Sequence, residues 1–190
     1  MKHSVFPLLF LFIVLNLQGC ATAIVAGTAV TAVSAANDPR TIGVQIDDST
    51  IEVKAMLKLM QDDGIDKHTH LNVVSYDGNI LVVGQSPNQF LIDSALKILN
   101  GIEGVKKVYN QVKLGTPVTL STKTTDTWIT TKVKTNLLTD EVVKGHNIKV
   151  VTENKVVYLL GNVDKEQATA AAAIASKVSG VDQVITVFSN

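Results

Sequence analysis

Few residues of this 190-residue chain could do chemistry by type and spacing alone. The sequence holds a single cysteine, Cys20, and a single tryptophan, Trp128. A lone cysteine cannot close a disulfide within its own chain. A catalytic thiol needs a histidine and a polar pocket, and the neighbours Gly19, Ala21, Thr22 and Ala23 supply neither. His68-Thr-His70 sets two imidazoles on one side of an extended stretch, but a metal site calls for further ligands. Asp62, Asp63 and Asp66 read more simply as a solvated helix end or turn. His146 stands before a strand pattern, near Lys144, and reads as exposed. No nucleophile motif, phosphate-binding loop or catalytic carboxylate pair stands out. The expectation is a protein that is not an enzyme and binds no metal.

More informative is the run Asp126-Thr-Trp-Ile-Thr-Thr-Lys-Val-Lys-Thr135. Ile129, Val133 and Leu137 recur every four residues, as the buried stripe of a helix does. Trp128, Lys132 and Thr135 form a neighbouring, more exposed stripe. Thr131 belongs to it, and Lys134 adds charge on the flank. An indole beside an ammonium group suits a membrane interface, where the ring lies at headgroup depth and the cation meets phosphate. The rival reading buries Trp128 in the core or in a contact between domains, as tryptophan commonly is.

Cys20 sits behind an apolar run. Lys2 supplies a basic start, and Val5 to Leu15 carry no charge. That is the layout of a secretory signal, too short for a spanning helix of about 20 residues. Leu17-Gln18-Gly19-Cys20 resembles the bacterial lipobox, although Gln18 departs from the usual small residue. The resemblance implies cleavage after residue 19 and acyl chains on Cys20, the only prosthetic group expected. An ordinary cleaved signal and a buried structural cysteine are the alternatives. Each buried acyl CH2 contributes roughly 0.8 kcal/mol, and a single chain anchors weakly. Ala21 at the next position, rather than aspartate, implies the outer membrane with the domains facing the periplasm. Ala21 to Ala36 are uncharged and rich in Ala, Val and Thr. They read as a flexible tether or a weak helix skimming the membrane.

Without residues 1–19 the chain has 16 basic and 17 acidic residues, a net charge of −1. A nucleic-acid binder shows a basic excess, which is missing. Three of the five phenylalanines leave with the signal, so the core falls to Val, Ile, Leu and Ala. Stretches such as Asn147-Ile-Lys-Val-Val151 favour strands.

An internal repeat organises the rest. Asp48-Ser-Thr-Ile51 matches Asp126-Thr-Trp-Ile129, both reading as helix starts with a Ser, Thr or Asp able to cap, and Ile51, Ala55, Leu59 match Ile129, Val133, Leu137. Ser49 with Glu52 makes a capping-box signature. "HLNVVSYDGNILVVGQS" and "NIKVVTENKVVYLLGNV" both read as hairpins, turning at Asp77-Gly78 and Glu153-Asn154 and ending near Gly84 and Gly161. A second helix follows each. Ser86, Pro87 and Gln89 suggest a cap, first turn and box in the first copy, and Asp164 with Gln167 repeats the cap. "GVKKV" and "GVDQV" close the copies as strands.

The expected architecture is α+β, with two tandem α-β-β-α-β domains after a signal and tether. The boundaries read as 1–19 signal peptide, 20–46 lipidated N-terminus and tether, 47–114 first domain, 115–125 linker and 126–190 second domain. Units this small lie near the lower limit for independent folding, so the two should pack together.

On Asp126/Ile129/Val133/Leu137, "VVYLLGNV" and "SGVDQV", with "ILVVGQS" and "GVKKV" in the first copy, the repeat resembles the BON domain of bacterial envelope proteins. With the lipobox, the whole chain is similar to dual-BON outer-membrane lipoproteins. That resemblance implies binding of anionic phospholipid, support of the envelope permeability barrier and enrichment at the division site. Thr50 stands where the second copy has Trp128, so the second domain is expected to carry the lipid contact through Trp128, Thr131, Lys132, Lys134 and Thr135. The alternative is an anchored adaptor for an envelope-protein partner such as an outer-membrane assembly or cell-wall-splitting factor. It would work through Lys97, Lys106 and Lys107 or an edge strand of the first domain.

Overall fold

The computed structural model describes residues 40–189; the signal, Cys20 and the tether up to residue 39 lie outside them, while 42–46, expected as the end of the tether, are helical. Each repeat builds a three-stranded sheet with helices on one face. The first runs α1 (Ile42–Met60), α2 (Asp63–His68), β1 (His70–Tyr76), β2 (Asn79–Ser86), α3 (Gln89–Asn100) and β3 (Lys107–Leu114). The second runs α4 (Leu120–Leu138), a 3-10 turn (Gly145–Asn147), β4 (Ile148–Glu153), β5 (Val156–Asn162), α5 (Lys165–Ser176) and β6 (Gln183–Ser189). The short α2 has no counterpart in the second copy. In both sheets the middle strand is the second. It pairs antiparallel with the first and parallel with the third.

Period-two alternation along the middle strands makes two kinds of core. Ile80 and Val82 face Ile51, Ala55, Leu59 and the other helical residues of the first domain. Val157 and Leu159 do the same against Ile129, Val133 and Leu137. The intervening residues point the other way. Val74, Tyr76, Leu81 and Val83 meet Val151, Tyr158 and Leu160 in a third cluster between the sheets. Full burial of one such side chain contributes about 1.5–3 kcal/mol, so this shared layer gives each small domain a second buried face. The expected packing of the two copies is observed.

Polar contacts fix the pairing. Lys149 Nζ lies 2.7 Å from Glu52 Oε1. The Tyr76 hydroxyl donates to the Asn147 carbonyl at 3.2 Å, and Gln85 Nε2 donates to Glu153 Oε1 at 2.6 Å. Gln85 Oε1 in turn accepts from the Val118 N–H in the connection.

Several caps differ from the sequence reading. Thr41, not Ser49, caps α1 by accepting from the Val44 N–H. Ser49 lies inside the helix and donates to the Gln45 carbonyl, while Glu52 is drawn away to Lys149 and the Ser75 N–H. Asn88, not Ser86, caps α3. Ser86 belongs to β2, because that strand continues past Gly84, as β5 continues past Gly161. Helix α4 starts at Leu120 with Thr119 as its cap, so 120–125 of the stretch read as linker are helical. The cap on Asp164 stands, with the Gln167 N–H and side chain both bound to it.

Asp48 and Asp126 start no helix. Both are buried in mid-helix and hold the hairpin turns from the side. Asp48 accepts from the Asp77 and Gly78 N–H groups and from the Ser75 hydroxyl, and it pairs with Arg40. Asp126 accepts from the Asn154 and Lys155 N–H groups, each at 2.8 Å. The second turn is therefore Asn154-Lys155, one residue later than read. Both of its residues have positive φ, 47° and 62°, a conformation that costs a lysine more than the glycine at the matching position 78. The two bonds to a carboxylate offset that cost.

Candidate functional site

Helix α4 presents the predicted residues on its solvent side. Its inward stripe is Asp126, Ile129, Val133 and Leu137, all buried. That inward stripe turns Trp128, Thr131, Lys132, Lys134 and Thr135 outward, and all five are exposed. Trp128 keeps 48% of its surface open, so it is neither a core residue nor part of the contact between domains. Lys132 Nζ lies 5.9 Å from the centre of its ring, within the range of a weak cation–π contact. One turn along, Thr131 and Thr135 donate their hydroxyls to the Thr127 and Thr131 carbonyls, both at 2.9 Å. Their methyl groups are left as the outer surface beside the indole. Lys134 lies round the flank, by a shallow depression lined with Lys123, Thr127 and Thr131. The structure brings Trp128, Thr131, Lys132 and Thr135 onto one face and leaves Lys134 at its margin.

Charge separates this helix from its counterpart. Three lysines and one aspartate lie in α4, against two lysines and three acids in α1. A cationic, half-apolar ridge can approach an anionic, half-apolar interface with little desolvation of its own charges.

The other candidates resolve differently. Asp62 caps α2, Asp63 pairs with Lys67 at 2.8 Å, and among the described residues no cluster of three or more His, Cys, Asp or Glu could hold a metal. His146 is exposed in its 3-10 turn. Within the lysine patch of the first domain, Lys106 is paired with Asp77 at 2.9 Å and Lys107 lies over the Tyr109 ring. No described helix is long and apolar enough to cross a membrane.

One surface escaped the sequence reading. Val53, Met56, Leu57 and Met60 of α1 are each more than half exposed. Their i, i+3, i+4, i+7 spacing is itself a helical stripe. It lies opposite the core stripe Ile51, Ala55, Leu59, which shares the same turns and draws the eye first.

A sequence model of the BON domain matches residues 47–116 and again 125–189. The chain belongs to the BON-domain family. Outer membrane lipoprotein DolP of Haemophilus influenzae is 45% identical over 90% of this chain and 89% of its own length. The 21 kDa hemolysin of Actinobacillus pleuropneumoniae is 39% identical over 79% of this chain and 77% of its own. Osmotically-inducible protein Y of Escherichia coli is 33% identical over 75% of this chain and 72% of its own. Among solved structures, CdsD of the Chlamydia trachomatis type III secretion system aligns with 70% of this chain and 90% of that one. It does so at 10% identity and a TM-score of 0.31, too slight a likeness to inform the fold. This BON protein is a dual-domain, lipid-anchored lipoprotein of the outer membrane. None of the relatives named here carries the name of an enzyme family.

Proposed function

We propose that the protein samples anionic phospholipid of the outer membrane through α4 of its second BON domain and so supports envelope integrity, with enrichment at the division site. The observation that carries this reading is the exposed Trp128 beside Lys132 on a helix whose opposite face is fully committed to the core. Cys20 is the residue assigned to the lipid anchor, with the domains in the periplasm. Trp128 enters the interface, Lys132 meets phosphate, Thr131 and Thr135 present methyl groups beside the ring, and Lys134 adds charge at the edge. A single shallow face with a few lysines binds weakly, about 1 kcal/mol per cation near an anionic surface. The anchor supplies residence and the domain supplies choice of lipid.

The test uses residues 37–190 without the lipid, mixed with phosphatidylglycerol or cardiolipin vesicles and with phosphatidylcholine vesicles. Flotation with anionic vesicles only, with a salt-sensitive blue shift of Trp128 emission, is expected. No flotation and no shift at any composition would end the lipid reading and leave the anchor as the membrane contact.

A further inference from the structure

The unused apolar stripe of α1 borders a cleft of about 510 Å³ in the first domain. Val53, Met56 and Met60 form one wall, Leu71 and Val73 of β1 the other, and Ile65 of α2 closes the end. Strand β1 is an outer strand of its sheet. Its free side can be located from Ser75. The Ser75 N–H donates to Glu52 and its carbonyl accepts from Lys149, so both groups point away from β2. The pairing with β2 is continuous from His70 to Tyr76. Backbone direction repeats every second residue. Val73 and Leu71 therefore present their N–H and carbonyl groups to the cleft, as Ser75 would without Glu52 and Lys149.

An apolar wall beside unpaired strand-edge groups is the arrangement that takes up an added strand. The surrounding charge states what kind. Asp66 lines the cleft and is exposed; its short helix and cap hold Asp62, Asp63 and Asp66 against Lys67, which is taken up by Asp63. The one acid that α1 contributes to the lining, Glu52, is already paired with Lys149. The corresponding positions of the second domain are occupied differently. Thr131, Lys134, Thr135 and Leu138 replace Val53, Met56, Leu57 and Met60, and no α2 closes the end. Asp66, with Asp62 of the adjoining cap, makes an anionic bilayer a poor occupant of this cleft, and two such clefts edge to edge would bring those carboxylates together.

We infer that the α1–β1 cleft of the first domain is a docking site for an extended segment of another envelope protein, apolar on one side and basic on the other, which adds to the β1 edge. The inference is independent of the lipid reading, since it uses the other domain and the opposite charge.

Met56 and Met60 are the methionines beyond the initiator, and both line the cleft, so methyl-labelled methionine gives reporters placed at the site. The full lipidated chain, in phosphatidylcholine nanodiscs, is titrated with a short synthetic peptide of alternating leucine and lysine. Saturable shifts of both methyl signals are expected, with affinity at least about tenfold above that of a leucine–glutamate peptide. Methylating alternate backbone nitrogens of the peptide should abolish the response. Val53→Lys should weaken it, and Asp66→Lys, an exposed charge reversal, provides a second variant with little bearing on folding. Equal response to both peptides, indifference to backbone methylation, or no response would overturn the inference. So would shifts without peptide on moving to phosphatidylglycerol nanodiscs, which would mark a lipid face, or shifts that follow protein concentration, which would mark self-association.

Discussion

Helices α1 and α4 are the same element used for opposite purposes. Each is 19 residues long and buries an aspartate and three apolar residues at matching positions. Their outward faces share little. Thr50, Val53, Met56 and Leu57 of α1 stand where α4 has Trp128, Thr131, Lys134 and Thr135. In α4 the threonine hydroxyls are turned back onto the helix, so a polar sequence offers methyl groups, one indole and cations. In α1 the face is apolar, with Glu52 along one side and Lys54 along the other. The inward stripe is constrained by a packed core. The outward one is free to diverge, and there the duplicated domain acquired two surfaces.

The largest effect that would separate the copies concerns their close strand crossings. A Cβ at Gly84, where φ is +130°, would overlap the His70 carbonyl oxygen, and one at Gly161 would overlap that of Asn147 less deeply and without a positive φ. Gly84→Ala should cost roughly 3 kcal/mol or more, and Gly161→Ala less. Urea unfolding followed by methionine signals for the first domain and Trp128 emission for the second would read each copy separately. Equal costs would show that φ adds nothing to the overlap.

Next come the two hairpin clasps. Asp48→Ala removes more partners than Asp126→Ala and should lose about 3 kcal/mol against about 2, since bonds to a charged acceptor contribute roughly 1.5–3 kcal/mol. A larger loss at Asp126 would mean that holding Lys155 at positive φ outweighs the count of bonds. The same denaturation curves decide it.

Exchange of the outward residues sharpens the comparison at little cost in stability. Trp128→Glu should change unfolding free energy by no more than about 0.5 kcal/mol, as exposed substitutions do, while abolishing flotation with phosphatidylglycerol vesicles. Thr50→Trp should not confer flotation on a Trp128→Glu background, because Lys54, the counterpart of Lys132, faces Glu103 and Asp47 shares the same hollow. Rescue by Thr50→Trp would show that an indole alone suffices.

The smallest difference at neutral pH lies between the sheets. Leu81 in the first domain corresponds to Tyr158 in the second, and burial, with Glu153 nearby, pushes the Tyr158 phenol above its ordinary range. A raised folded value means the neutral phenol is the form the fold favours. Its contribution is intact below the ordinary tyrosine value of about 10 and is lost as pH rises through the folded value. Melting of the wild type should fall more steeply above that range than melting of Tyr158→Phe. Parallel curves would place the alkaline sensitivity elsewhere.

Much of this was legible in the sequence. Spacing gave the inward stripes of α1 and α4. Duplication gave the order of elements, and alternation in "ILVVG" and "VVYLLG" gave two-faced strands. The place of Trp128 one residue before the core stripe points it off that stripe, but only the fold excludes its burial between the domains. The caps of α1 and α3 are not legible locally, because local rules rank Ser49 and Ser86 as well as Thr41 and Asn88. A side chain chooses its partner only once the rest of the chain is in place. Glu52 was unavailable for a capping box because Lys149, 97 residues later, holds it.

By itself the sequence determined a duplicated α+β domain, the buried stripes and the Trp128–Lys132 pair, because these rest on periodicities of three to four residues that every local model shares. Only the tertiary structure decided that Asp48 and Asp126 clasp turns rather than cap helices, that the sheets meet face to face, and that β1 has a free edge beside an apolar helix face. These depend on which distant groups meet, and nothing short of the folded chain brings them together.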